Sequence, residues 1–255
     1  MAHPQTVPTI GCVAHEVDHV YALPNGEPRE VAKEIQPARS STTTGRPLAL
    51  QLGEIIRQPR EWDITDDDGQ GRELVPALWG TVAPAVTAAT LDRALANTHS
   101  FNARPETVDM LPTFRQAWAA GRRCIIQADA IYEPDHRLET KLALRAKGAV
   151  PTRFSRAKGE PLALAGLSNT YKDAAVRFQL SYAMLNINAA RHPLFRHYHR
   201  PDEENRMDVV LPDCTLGDWL MAPVARAREL LVPFTAERWT AEPERPGEPH
   251  QAALF

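Results

Sequence analysis

The chain has 255 residues, 43% of them hydrophobic, with 29 basic against 32 acidic side chains for a formal charge of −3. That length and apolar content suffice for a large core in one domain, while the slight acidity excludes a protein held on nucleic acid by overall charge and leaves a local basic patch for any such role. No apolar run reaches the roughly 18–20 residues of a membrane span, and no basic segment followed by an apolar core opens the chain, so a cytoplasmic protein with no membrane partner is expected.

In chain order, residues 1–44 are irregular, with scattered prolines and the loop-like Ser40-Ser-Thr-Thr-Thr-Gly45, apart from a helix expected from Cys12 to Ala22. Within it His15-Glu16-Val17-Asp18-His19 matches H-E-x-x-H, which on a helix sets two imidazoles on one face with the glutamate placed as a base. Cys12 falls on that same face, so a zinc hydrolase is one alternative to weigh. Cys12, Cys124 and Cys214 are odd in number and far apart, which argues against disulfide staples.

Leu48 to Ile56 and Leu74 to Trp79 read as strands of a hairpin across the polar stretch Asp63-Ile-Thr-Asp-Asp-Asp-Gly-Gln-Gly71. Pro112 to Ala120 reads as a helix with Phe114 and Trp118 on one face and Gly121 at its left-handed cap, and a strand from Arg123 to Tyr132 follows at once. Between His136 and Gly159, Arg137, Lys141, Arg145, Lys147, Arg153, Arg156 and Lys158 face Glu139 alone, which fits a solvated face or a local anion-binding patch. Further strands are expected at Leu162 to Leu167, Gln179 to Leu185 and Met207 to Leu211, the last stopped by Pro212. Thr215 to Asp218 opens a helix, and Pro223 starts another that runs through Leu231. From Ala241 the chain is rich in Pro and Glu. The expected organisation is an irregular segment over 1–44, one domain over 45–240 and a disordered tail over 241–255. Unevenly spaced strands with few helices between them indicate an α+β fold on largely antiparallel sheet, not a parallel βαβ series.

Three polar anchors stand out from this apolar scaffold: Asn102-Ala-Arg104-Pro-Glu106-Thr, the strand leading to Glu133, and the stretch from Asn186 through His199 to Arg206. An amide, a guanidinium, a carboxylate and an imidazole are what a site needs to handle a polar, anionic substrate.

Taken in order, Trp79-Gly80, Asn102-Ala-Arg-Pro-Glu-Thr, Phe114-Arg115, Arg123-Cys-Ile-Ile-Gln-Ala-Asp-Ala-Ile-Tyr-Glu133, Ala165-Gly-Leu and His199-Arg-Pro before Arg206-Met resemble the SOS-response-associated peptidase (SRAP) family of abasic-site processing proteins, from about Leu74 to Pro243. The resemblance implies a barrel-like fold with flanking helices that acts as a monomer on abasic sites in single-stranded DNA during the DNA-damage response, with no metal or other cofactor. It implies peptidase- or lyase-like chemistry in which an N-terminal cysteine amine attacks the ring-opened sugar aldehyde, forming a Schiff base that the thiol closes to a thiazolidine. An α-amine titrates near pH 8, so part of it is neutral and nucleophilic at neutral pH. By the motifs, Asn102 orients the amine or sugar, Glu133 is general acid and base, and His199 assists ring opening. Arg104 and Arg206 hold phosphates and Trp79 stacks on a base, although an arginine in the place of Arg206 serves equally well in an ion pair with Asp202 or Glu203.

The chain departs from the family pattern in opening Met1-Ala2-His3 instead of Met-Cys, which leaves Cys12 as the early cysteine, exposed as a terminus if residues 1–11 are removed by self-cleavage or another protease, or if the true start differs from Met1. It also carries Gln127, Pro134 and Ser168 where Pro, an aromatic and Trp are usual. A member that binds DNA through Arg104 and the basic segment without covalent capture is the other alternative.

Overall fold

The computed structural model describes residues 52–59, 72–95, 100–135, 150–173, 175, 177–199 and 203–243. By internal contacts the chain divides into Met1–Thr42 and Thr43–Phe255, and every described residue belongs to the second unit. Cys12, the H-E-x-x-H segment, the Asp63 to Gly71 turn and the basic residues from Arg137 to Lys147 lie outside the described residues.

The expected hairpin forms from β1 (Leu52–Arg57) and β2 (Glu73–Trp79), antiparallel with Ile55 opposite Val75. The next strands are β3 (Asn102–Ala103), β4 (Arg123–Ala128), β5 (Ile131–Asp135), β6 (Val150–Arg156), β7 (Leu162–Lys172), β8 (Phe178–Asn188), β9 (Arg206–Asp208) and β10 (Trp239–Pro243). Strands β2, β1, β4, β7 and β8 pair in that order, each antiparallel to the next. Leu78 and Trp79 then pair parallel with Ser181 and Tyr182, closing five strands into a barrel with no open edge at that seam.

The interior is tight. A Cβ at Gly53 would lie 2.6 Å from the Tyr182 hydroxyl, and one at Gly166 would lie 2.4 Å from Ile126 Cδ1 and 2.8 Å from Cys124 Sγ. The outer face of β4 and β7 is covered as well, by α2 (Arg115–Ala119) and α3 (Leu216–Met221), so β4 is buried on both sides except at Gln127. The buried Arg123 guanidinium donates to the Trp219 and Ala222 carbonyls at the end of α3, and Trp219 Nε1 donates to the Cys124 carbonyl at 2.9 Å. Gly121 takes φ 62°, as its capping position requires.

Several expectations need correction. The run from Arg123 to Tyr132 is two strands in two sheets, because the chain turns at Asp129 and Ala130: β4 joins the barrel, whereas β5 joins a second sheet ordered β10-β6-β5. β6 and β10 were not anticipated, and Ala241 to Pro243, read as the start of a tail, pair with Phe154 to Thr152. The helix from Pro223 breaks after α4 (Val224–Ala227) into a 3-10 turn over Arg228–Leu230. Thr215 does not cap α3 with its side chain; its hydroxyl donates back to the Pro212 carbonyl at 2.8 Å. Cys124 is a buried thiol in the barrel wall.

The second sheet is fixed by aromatic packing. Phe154 of β6 stacks on Phe195 with ring centroids 4.6 Å apart and meets the edge of Tyr198 at 4.7 Å, while Trp239 of β10 meets Phe195 at 5.2 Å. This cluster holds the 3-10 turn Phe195–His197, and therefore the chain entering His199, against the sheet that carries Glu133.

Candidate functional site at the barrel mouth

Strand β8 outlasts its barrel partners, and the site forms where it projects. On one edge Met184 N–H donates to the Phe101 carbonyl at 2.9 Å, placing β3 parallel to β8 with Asn102 opposite Met184. The neighbouring residue, Leu185, accepts from Val209 N–H at 2.9 Å. Adjacent residues in a strand aim their amide groups at opposite edges, so β3 and β9 flank β8 on its two sides. β9 fills the gap opened as β7 diverges: Ala165 N–H donates to the Val209 carbonyl at 2.8 Å. Residues in register share a face, so Asn102, Met184, Asn186 and Asp208 all present to the same side.

Asn186 is the hub of this face. It lies opposite Asp208, and its Oδ1 and main-chain oxygen accept from Arg206 Nε and Nη2 at 3.0 and 2.6 Å. Arg206 is buried, and the rest of its fork holds Glu204 at 2.8 Å and Glu106 at 3.0 Å. A guanidinium has five N–H donors, and this arrangement uses them all. The Arg206 backbone N–H donates to His199 Nε2 at 3.4 Å, which requires a lone pair on that nitrogen and puts the neutral ring's proton on Nδ1.

From the second sheet, Glu133 lies in register with Thr152 and within electrostatic reach of Asp208. Both residues are half-buried. Burial first, and the Asp208 charge second, lift the Glu133 carboxyl to about 8; burial lifts Asp208 to about 7. A pair of carboxyls in this state holds a proton at neutral pH, so the mouth contains an acid able to protonate a leaving hydroxyl.

Of the residues expected at the site, Asn102 is exposed at the mouth, Glu133 adjoins it through Asp208, and His199 is tied to it through Arg206, so the three are linked through Asn186. Arg104 is exposed and paired with Glu204 at 3.1 Å. Arg206 follows the ion-pair alternative, with Glu106 and Glu204 as partners instead of Glu203; its full set of protein partners leaves no donor for a phosphate. Trp79 is 8% exposed and packs on Phe101 at 5.1 Å, so it is a core ring and not a face open to a base. In the basic segment, Arg156 is buried and paired with Asp213 at 2.9 Å, so it does not belong to a free patch. Cys12 lies outside the described residues.

Sequence reasoning missed Asp208 and Glu204, and gave Glu106 no role within its motif. A single acid inside Met207-Asp-Val-Val-Leu211 was a readable signal, since an acid there is either paired or perturbed. Among the described residues no cluster of His, Cys, Asp or Glu could hold a metal ion. No described helix is long and apolar enough to cross a membrane. A cavity of about 920 Å³ lies elsewhere, lined by Arg57, Arg122, Thr170, Lys172 and Leu180 at the opposite end of β7 and β8, and takes no part in this chemistry.

Residues 26–244 match the model of the family described as SOS response associated peptidase (SRAP), a span that begins downstream of Cys12. A crystal structure of a protein from Bordetella bronchiseptica is 43% identical, covering 77% of this chain and 85% of that one, with a TM-score of 0.67. Two more distant crystal structures share the fold: a protein from Bacteroides thetaiotaomicron at 19% identity, 68% and 70% coverage and TM-score 0.56, and a phage-related protein from Bordetella bronchiseptica at 20%, 76% and 78%, and 0.50. No curated protein matches the chain.

Proposed function

Because the chain belongs to the SOS response associated peptidase family, we propose that it captures abasic sites in single-stranded DNA covalently at the barrel mouth, through the amine and thiol of Cys12 once a chain beginning at that residue has been produced. The observation that carries this reading is the Glu133 carboxyl, lifted to about 8 beside Asp208 on a face shared with Asn102. Attack of a neutral amine on the sugar aldehyde gives a carbinolamine whose hydroxyl leaves only when protonated. Glu133 supplies that proton and a water departs. The thiol then adds across the imine carbon and its proton passes to the nitrogen, so the net loss is one water. Asn102 orients the reacting carbonyl, and the neutral His199 ring helps to open the sugar. The same proton donor suits the peptidase step that would expose Cys12.

A second reading rests on the matched span starting at residue 26: a member that binds DNA through Arg104 without a covalent bond. A denaturing gel with an abasic oligonucleotide separates the two. Covalent capture gives a shifted band that Glu133→Gln weakens at least tenfold, whereas retention only on a native gel selects the second reading.

A further inference from the structure

Arg104 leaves the end of β3 and Arg206 opens β9, so their guanidinium groups reach the mouth from opposite edges of β8. One carboxylate joins them. Glu204 Oε2 accepts from Arg104 Nη1 at 3.1 Å, and its Oε1 accepts from Arg206 Nη1 at 2.8 Å and Asn188 Nδ2 at 3.1 Å. The Asn188 hydrogen bond first, then the Arg206 hydrogen bond and the charges of Arg206 and Arg104, hold the Glu204 carboxyl below the ordinary range, so it stays charged. The two arginines differ in what else holds them. Arg206 is 8% exposed and keeps Glu106, whereas Arg104 is 55% exposed and Glu204 is its ion-pair partner among the described residues.

A carboxylate with both oxygens on guanidinium N–H groups has the geometry that a phosphodiester would adopt in the same place. We propose that Glu204 occupies the backbone-phosphate position at Arg104, so that single-stranded DNA must displace this carboxylate to bind, and that Glu204 thereby sets the affinity and salt sensitivity of the mouth. The inference rests on reading the mouth as a single-stranded DNA site. Glu204 is itself partly exposed, so swinging it away costs little, and the incoming phosphate replaces one anionic partner of Arg104 with another. Arg206 stays held by Glu106 and Asn186, so the frame of the site survives the exchange.

The test is binding of a fluorescein-labelled oligothymidylate, followed by anisotropy over a salt series, for the wild type, Glu204→Gln, Arg104→Gln and the double variant. Glu204→Gln is expected to bind about 3- to 10-fold more tightly at low salt, with a slope of log affinity on log salt steeper by about 0.7, the value for one more cation engaged by a single strand. Arg104→Gln abolishes that gain in the double variant. A residue with a merely structural role would weaken binding and leave the slope unchanged. If Glu204→Gln does not fold, Glu204→Asp keeps the charge but is too short to bridge both arginines, and is expected to show the same direction of change. Wild-type binding with no gain in a folded Glu204 variant overturns the proposal for Glu204 alone. Absence of binding by every protein at the lowest salt overturns the DNA reading and this proposal together.

Discussion

Glu133 and Asp208 come from different sheets yet lie close enough that the Asp208 charge adds to burial in lifting the Glu133 carboxyl to about 8. A carboxyl in that state is a proton donor at neutral pH, which the same residue on an open strand end would not be.

Capture is therefore expected to lose rate as pH rises through about 8, where Glu133 gives up its proton. Asp208→Asn removes the like charge, lowers the Glu133 pKa and should move this alkaline limb to lower pH. Single-turnover adduct formation across pH 5.5–9.5, a range of about four units, measures it. A limb that stays in place would show that Asp208 does not tune the acid.

Stability should follow the same groups with a definite sign. Both folded-state values are raised above the ordinary carboxylate range, so the folded protein binds these protons more tightly than the unfolded chain does. The contribution is fully present below about pH 4 and is lost as pH rises through the folded values near 7 and 8. Asp208→Asn should consequently stabilise the protein at pH 8.5 by about 1 kcal/mol, or about 3 °C, and have little effect at pH 4. Thermal unfolding at the two pH values checks the difference.

Gly166 is required by packing. A methyl group there would lie 2.4 Å from Ile126 Cδ1, 2.8 Å from Cys124 Sγ and 3.0 Å from the Ala183 carbonyl. Gly166→Ala should therefore cost about 2–3 kcal/mol through overpacking of the barrel interior, read from denaturant unfolding.

Arg206→Lys keeps the charge and loses the fork. An ammonium cannot reach Asn186, Glu106 and Glu204 together, and the site is buried, so the change should destabilise the fold by about 2 kcal/mol with little relief from added salt.

The hairpin, the α2 cap at Gly121 and the apolar parts of β7 and β8, Leu162 to Leu167 and Gln179 to Leu185, were legible because their signals are local, runs of apolar residues and a glycine where φ is positive, whereas the polar continuations of these strands to Lys172 and Asn188 were not. β6 was hidden by its own chemistry. Its buried positions Thr152, Phe154 and Arg156 alternate as a strand should, yet two of the three are polar, and Arg156 is satisfied by Asp213 from far along the chain. The turn between β4 and β5 was hidden for a different reason: Asp129 aside, Ala128 to Tyr132 continues the apolar character of β4, and the break shows only where the two sheets diverge. At the site, the residue types were visible while their partners were not. Nothing in the order of residues places Asp208 beside Glu133 or sets Glu204 between Arg104 and Arg206.

The most direct test of the account is the intact mass of the purified full-length protein after incubation with an abasic oligonucleotide without reductant. The account predicts one species, the chain beginning at Cys12 joined to one oligonucleotide less one water, and no such species with Glu133→Gln over the same period. A full-length chain recovered unmodified, with its oligonucleotide intact, would contradict it.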